Sequence, residues 1–248
     1  MIAIRSALFN LIMFVSVTVH SALVMLTFPF PPLARYRFAS QWARFQTWVA
    51  GWLLGLRYHV EGREHLPHRT AVILAKHQSM WETMAFQVIF PPQVWVLKRE
   101  LMWVPFFGWA LWMLRSIAID RGSGRRAVQQ VIEQGRDRLN HGLWVVVFPE
   151  GTRVAPGHQR RFGIGGAVLA VESGHPVVPV AHNAGHFWRR RSFVKQPGTI
   201  QVVIGPAIDP KGMTAEELNQ WVERWMHDTM ARIEGRPPQP VSRDRPAR

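Results

Sequence analysis

Residues 7–28 run ALFNLIMFVSVTVHSALVMLTF with no charged side chain, and Asn10 and His20 are the only strongly polar residues among them. As a helix rising ~1.5 Å per residue this stretch would extend ~33 Å, about the hydrocarbon thickness of a bilayer. A cleaved secretory leader has a shorter apolar core and a small-residue cleavage site. Here Pro29, Pro31 and Pro32 stop the helix instead, which predicts a retained membrane anchor. A second segment, 35–56, interleaves Arg35, Arg37 and Arg44 with Phe38, Trp42, Phe45, Trp48 and Trp52. Its rings suit the headgroup zone and its arginines suit anionic lipid, although an ordinary core helix has the same pattern. The anchor is therefore either a full span or a pair of helices dipping into one leaflet. No Asp or Glu precedes Glu61, and the arginines that follow the first helix predict a membrane-associated protein with its main domain on the cytoplasmic side.

From Tyr58 onward the pattern changes. Short apolar runs at 71–75, 116–119, 143–148, 176–180 and 200–204 read as strands, and several lack any polar alternation, as strands buried on both faces do. Residues 125–139 and 165–172 read as helices. A last helix opens on the capping box Thr214-Ala-Glu-Glu217 and runs to about Ile233. Such alternation predicts an α/β domain with a mostly parallel central sheet flanked by helices. The expected organisation is membrane-anchoring helices over 1–57, the α/β domain over 58–234, and a Pro- and Arg-rich disordered tail over 235–248.

Composition narrows the chemistry. The 248 residues include no cysteine, which removes thiolate nucleophiles and cysteine-based metal sites. Thirty Lys and Arg against 16 Asp and Glu leave a formal charge of +14, so an anionic partner is expected. No Gly-x-Ser-x-Gly elbow and no Gly-x4-Gly-Lys-Ser/Thr loop occurs.

Ligands of α/β folds gather where strands end. After the first run comes Lys76-His77-Gln78-Ser79-Met80-Trp81-Glu82. A carboxylate five positions beyond a histidine, at a strand-to-helix junction, can hold one imidazole nitrogen protonated and leave the other free to accept a proton. After the second comes Asp120-Arg121-Gly122, and after the third Pro149-Glu150-Gly151-Thr152-Arg153. Lys98 follows a further apolar run. Arginine forks well onto phosphate oxygens, and Gly151 allows close backbone approach to an oxyanion. Taken one at a time, each loop could equally be a solvated surface ion pair.

Together, the residues from His77 to Glu82, Ile119-Asp-Arg121, Phe-Pro-Glu-Gly-Thr-Arg at 148–153 and Val-Val-Pro-Val at 177–180 resemble the four ordered blocks of the glycerolipid acyltransferases, most closely the 1-acyl-glycerol-3-phosphate (lysophosphatidate) branch. The likeness covers roughly half of the chain, from about His77 to Pro206. It implies that His77 is the general base, with Glu82 standing where the family usually has Asp. It further implies that Arg121 and Arg153, with Lys98 as a third cation, hold the acceptor phosphate. Glu150, Gly151 and Thr152 would shape that loop, and Pro179 would belong to the last block near the acyl site. The implied reaction moves an acyl chain from acyl-CoA or acyl-carrier protein to the sn-2 hydroxyl of the acceptor, giving phosphatidic acid. The thioester is a co-substrate, and neither a cofactor nor a metal is expected. The expected partners are thus the lipid bilayer, a lysophospholipid acceptor and the acyl donor, with no nucleic acid.

Other readings share some of these residues. The same blocks serve acyltransferases that act on glycerol 3-phosphate, other lysophospholipids or lyso-aminolipids. A metal hydrolase would draw on His77, His182 and His186, but these lack a His-Glu-x-x-His helix. A nucleic-acid-binding membrane protein would use Arg189-Arg-Arg191 near Lys195 and would show steep salt dependence. Trp95, Trp103, Phe106, Phe107, Trp109 and Trp112 form a stripe that fits an acyl tunnel, core or membrane-contacting surface.

Overall fold

The structure, a computed structural model, describes residues 1–235. The tail expected from 235 lies, apart from Gly235, outside the described residues. Two long helices come first, α1 (Ile2–Met25) and α2 (Pro32–Leu54). Pro32 suits the first turn of α2, where its missing N–H has no intrahelical partner. Gly55 closes that helix at φ 66°, a left-handed cap that favours glycine. The chain then alternates through β1 (Leu56–Glu61), β2 (Val72–Ala75), α3 (Trp81–Ile89), β3 (Gln93–Lys98), α4 (Phe107–Met113) and β4 (Ile117–Ile119). It continues with α5 (Arg125–Asn140), β5 (Trp144–Val147), α6 (Gly165–Ser173), β6 (Val177–His182), α7 (Ala184–Phe187), β7 (Gly198–Ile204) and α8 (Ala215–Ile233). The capping box is present: Glu217 N–H donates to Thr214 Oγ1 at 3.2 Å and Thr214 N–H to Glu217 Oε2 at 2.8 Å.

The sheet has seven strands in the order β1-β7-β6-β2-β5-β3-β4. Neighbours are parallel throughout except β6 and β7, so β6, β2, β5, β3 and β4 all end on one edge. The apolar runs at 71–75, 143–147 and 176–180 are buried on both faces. Ile73, Val146, Val178 and Val180 face Trp81 and Phe86 of α3, Val49, Ala50 and Leu54 of α2, and Phe9 of α1. Val72, Leu74, Val145, Val147 and Val177 face α5, α6 and α8 through Val131, Leu139, Leu169, Leu218, Val222 and Met226.

The N-terminal helices share the core of the α/β domain. Phe9 is fully buried and meets Trp188 edge-on at 5.3 Å. Ser6 Oγ accepts from Lys195 N–H at 3.1 Å, and Gln46 Nε2 donates to Ser16 Oγ at 2.7 Å between the two helices. The opposite faces are apolar and open: Ile4, Leu8, Leu11, Val15 and Val19 on α1, and Phe45, Trp48 and Trp52 on α2. Of the described helices, α1 alone is long and apolar enough to cross a membrane. Trp103, Phe106, Trp109 and Trp112 are also exposed, so most of that stripe is surface, while Trp95 packs inward against Phe86 and Phe148.

Candidate active site

The site lies on the edge where the five parallel strands end. His77 follows β2, and its ring stacks on Phe148, one residue beyond β5, with centroids 3.9 Å apart and planes 11° from parallel. Nδ1 stands 2.8 Å from Glu82 Oε1. Glu82 is in the first turn of α3 and fully buried, and the same oxygen accepts Gln78 N–H at 2.9 Å and Ser79 N–H at 2.7 Å. An acceptor-only carboxylate makes Nδ1 the protonated nitrogen and leaves Nε2 with its lone pair. Among the described residues Nε2 has no hydrogen-bond partner, and the side chain keeps 13% exposure toward solvent. Burial by itself would raise the Glu82 pKa. The His182 imidazole, the hydrogen bond and charge of His77 and the Ser79 N–H outweigh it, so the carboxyl lies below its ordinary range.

A second buried carboxylate fixes the backbone under the histidine. Glu150 Oε1 is in direct contact with Lys76 Nζ, and Glu150 Oε2 accepts His77 N–H at 3.0 Å. Burial lifts the Glu150 pKa against the pull of Lys76 and His77. Gly151 sits at φ 68°, the left-handed region that favours glycine, and its N–H donates to the Phe148 carbonyl at 3.0 Å. A Cβ at Gly151 would meet no atom within 4 Å, so backbone conformation rather than crowding is what calls for glycine. The loop returns to the histidine, since Val154 N–H donates to the His77 carbonyl at 2.8 Å. Thr152 and Arg153 lie between these two anchors, both half-buried.

His182, at the end of β6, is fully buried beneath the pair. Nε2 donates to the Lys76 carbonyl at 2.8 Å and Nδ1 accepts Ala184 N–H at 3.3 Å, which one neutral tautomer satisfies. Burial holds its pKa down. With both nitrogens engaged, and His186 paired to Glu234 at 3.0 Å, the three-histidine metal arrangement is not assembled.

The other expected residues divide by strand. Arg153 belongs with His77 through Val154. Lys98 ends β3, exposed, and Arg121 heads the turn Arg121–Ser123 after β4, its side chain outside the described residues. Adjacent strands lie ~4.8 Å apart, so β3 and β4 end roughly 10 and 14 Å from β2. Pro179 is inside β6, opposite Leu74, and its carbonyl accepts Gly205 N–H at 2.9 Å. Lys76 and Phe148 support the pair without having been read as site residues, and His182, read from the sequence only as a metal-ligand candidate, supports it from below. A lysine directly before the histidine is the one local signal, and its partner lies 74 residues away.

The chain is similar to known proteins along most of its length. A family model described as Acyltransferase matches residues 57–183, which include His77, Glu82, Glu150, Arg153 and His182. The chain is 48% identical over 236 residues to a 1-acyl-sn-glycerol-3-phosphate acyltransferase of Pseudomonas aeruginosa, covering 93% of this chain and 92% of that one. It is 28% identical over 223 residues to the protein of that name from Limnanthes alba, covering 89% and 78%. The fold matches the crystal structure of a 1-acyl-sn-glycerophosphate (LPA) acyltransferase from Thermotoga maritima with a TM-score of 0.79, over 95% of this chain and 97% of that one, at 24% identity. With a family model over half of its residues and such a relative along nearly its whole length, the chain belongs to the acyltransferase family.

Proposed function

We propose that the chain transfers an acyl group from an acyl thioester to the free sn-2 hydroxyl of 1-acyl-glycerol-3-phosphate, forming phosphatidic acid. The observation that carries this reading is a histidine anchored at Nδ1 and open at Nε2, on a backbone joined directly to the Arg153 loop. Nε2 takes the hydroxyl proton as the oxygen attacks the thioester carbonyl, and Glu82 stabilises the imidazolium that forms. Collapse of the tetrahedral intermediate breaks the C–S bond, and the imidazolium proton goes to the departing thiolate. No bond to the enzyme forms, and the reaction as written calls on no cofactor. The donor is acyl-CoA or acyl-carrier protein.

Arg153 is assigned to the acceptor phosphate, since its loop is tied to His77 while Lys98 and Arg121 follow strands further along the sheet. The relatives' names support the same acceptor.

Membrane attachment follows from the open apolar faces of α1 and α2. Near its start α1 is held by Lys195 and Trp188, and near its end Val24 packs with Ala39 and Ala110. A helix held to the domain at both ends favours insertion into one leaflet over a full span. The arginines of α2 favour the cytoplasmic leaflet.

The test uses the detergent-solubilised chain, a labelled acyl thioester and acceptors with and without phosphate. Transfer to lysophosphatidate that is lost in His77→Ala supports the reading. A preference for glycerol 3-phosphate, another lysophospholipid or a lyso-aminolipid reassigns the acceptor. Near-normal turnover in His77→Ala removes the base.

A further inference from the structure

Residues 101–114 run LMWVPFFGWALWML, with no charged residue and no polar side-chain group except the indole N–H of each tryptophan. An apolar stretch of this length is too short to span a bilayer as a helix, and is either a core helix or an interfacial segment. Burial decides between the two. Gly108, Ala110 and Met113 of α4 are buried, whereas Trp103 and Trp112 are 77% and 67% exposed, with Phe106 and Trp109 open beside them. These rings are held in place. A Cβ on Gly108 would lie 2.3 Å from the Met102 carbonyl oxygen, so the turn Arg99–Trp103 and the start of α4 are pressed together as one unit. Phe106 heads α4 at φ 60°, uncommon for a bulky residue, and its ring meets Trp109 edge-on with centroids 5.4 Å apart.

The buried side of α4 ties this unit to the helical pair. Ala110 packs with Val24 at the end of α1 and with Ala39 of α2. The chain that leaves this joint, 25–34, is uncharged and exposes Leu26, Phe28 and Phe30, so the open apolar surface of α1 continues onto α4. At its other end α1 meets Trp188, which follows β6 and α7, while α4 connects β3 to β4. In the sheet order β6 and the β3–β4 pair are separated by β2 and β5, so this surface crosses much of the width of the sheet. The turn Arg99–Trp103 leaves directly from the end of β3, on the same edge as His77.

Resting on the membrane attachment proposed above, we infer that segment 101–114 is a third insertion element: Trp103, Phe106, Trp109 and Trp112 enter the leaflet that takes the open faces of α1 and α2. A lipid leaflet suits this surface better than a protein partner does. Protein interfaces surround their apolar centre with a polar rim, which this segment lacks. Indole rings, apolar with a single N–H, concentrate at the boundary between headgroups and acyl chains. Because the segment begins where β3 ends, its insertion holds the edge that carries His77 close to the headgroups.

The natural chain has no cysteine, so single cysteines can be introduced into the otherwise unaltered full-length protein. Trp103→Cys, Trp109→Cys and Trp112→Cys are each labelled with an environment-sensitive fluorophore and transferred from detergent to preformed phosphatidylcholine–phosphatidylglycerol vesicles. Trp48→Cys reports the open face of α2, and Lys211→Cys the exposed turn before α8, which packs on the opposite face of the sheet. Labels at 103, 109 and 112 should be quenched several-fold more by doxyl-labelled lipid than the label at 211, and several-fold less by aqueous iodide. Iodide quenching equal to that at 211 overturns the inference. Shielding from both quenchers overturns it too, because protein then covers the face, and loss of that shielding on dilution would identify a second copy. Doxyl quenching absent at 48 as well would mean that the underlying membrane attachment has failed, which is a distinct result. A second measurement does not depend on labels. Trp103→Ser/Trp112→Ser should raise the acceptor KM several-fold in vesicles and leave it unchanged in detergent micelles, with an unchanged thermal midpoint. An equal rise in both would overturn the inference and place the rings against the acyl chain.

Discussion

His77 Nδ1 and Glu82 Oε1 lie 2.8 Å apart, and that carboxylate oxygen also takes the backbone N–H groups of Gln78 and Ser79. One oxygen thus sets both the tautomer of the ring and the turn that carries it.

Glu82→Gln separates these two tasks. The amide can keep accepting from the backbone through its oxygen, but it carries no charge to stabilise an imidazolium. The expected result is a kcat reduced by ~10²–10⁴, the range that base catalysis supplies, with the acceptor KM little changed. Glu82→Ala should in addition lower the thermal midpoint, because it leaves two buried N–H groups unbonded at ~1–3 kcal/mol each. Wild-type kcat in Glu82→Gln would show that the carboxylate has no catalytic part.

Lys76 and Glu150 form the second pair, 7% and 0% exposed at their side chains. Lys76→Met strands a buried carboxylate, which costs ~3–5 kcal/mol when one partner of such a pair is removed. Glu150→Gln in the same chain should restore much of the stability, since the stranded charge is gone and the amide oxygen can still accept His77 N–H. Thermal melts of the two single variants and the double variant form the cycle. Additive losses would mean that the pair is not coupled.

The two carboxylates respond to acid in opposite senses. Glu82 is held below its unfolded value, so its stabilisation is present above about pH 4.3 and is lost as pH falls through its folded pKa. Glu150 is held above, so its contribution is present below about pH 4.3 and is lost as pH rises through its folded pKa. Denaturation followed against pH should therefore give a shallower acid limb in Glu82→Gln. In Glu150→Gln the slope should change above pH 4.3 instead. Identical profiles for wild type and both variants would contradict these shifts.

What could be read from the sequence follows from which forces are local. The strands β2 and β5 are legible because burial on both faces leaves nothing but apolar side chains, as in Val72-Ile-Leu-Ala75, and β6 is legible in the same way up to His182. The first strand, Leu56–Glu61, lies at the sheet edge and alternates apolar with polar residues, so it passes for the end of the helix before it. The His77–Glu82 pair is legible because its partners are five residues apart at one strand-to-helix turn. Lys76 with Glu150, and His182 with the Lys76 carbonyl, are contacts across 74 and 106 residues that only the sheet order creates. The inner face of α1 is hidden for another reason. A helix apolar all round has no periodicity to mark Ser6, Phe9 and Val24 as the residues that pack inward.

That inner face makes α1 a structural part of the domain as well as the membrane contact proposed above, and the two roles can be separated by substitution. Phe9 is fully enclosed among Trp188 and the core beneath α2, so Phe9→Ala should cost ~3–5 kcal/mol and lower the thermal midpoint in detergent. Trp48 and Trp52 stack 6.0 Å apart on the open face of α2, 63% and 71% exposed. Replacing both with serine removes no core contact and should leave the midpoint near the wild-type value, while weakening co-sedimentation with anionic vesicles. The opposite pattern, a stable Phe9→Ala and an unstable Trp48→Ser/Trp52→Ser, would mean that the faces of the helical pair have been assigned the wrong way round.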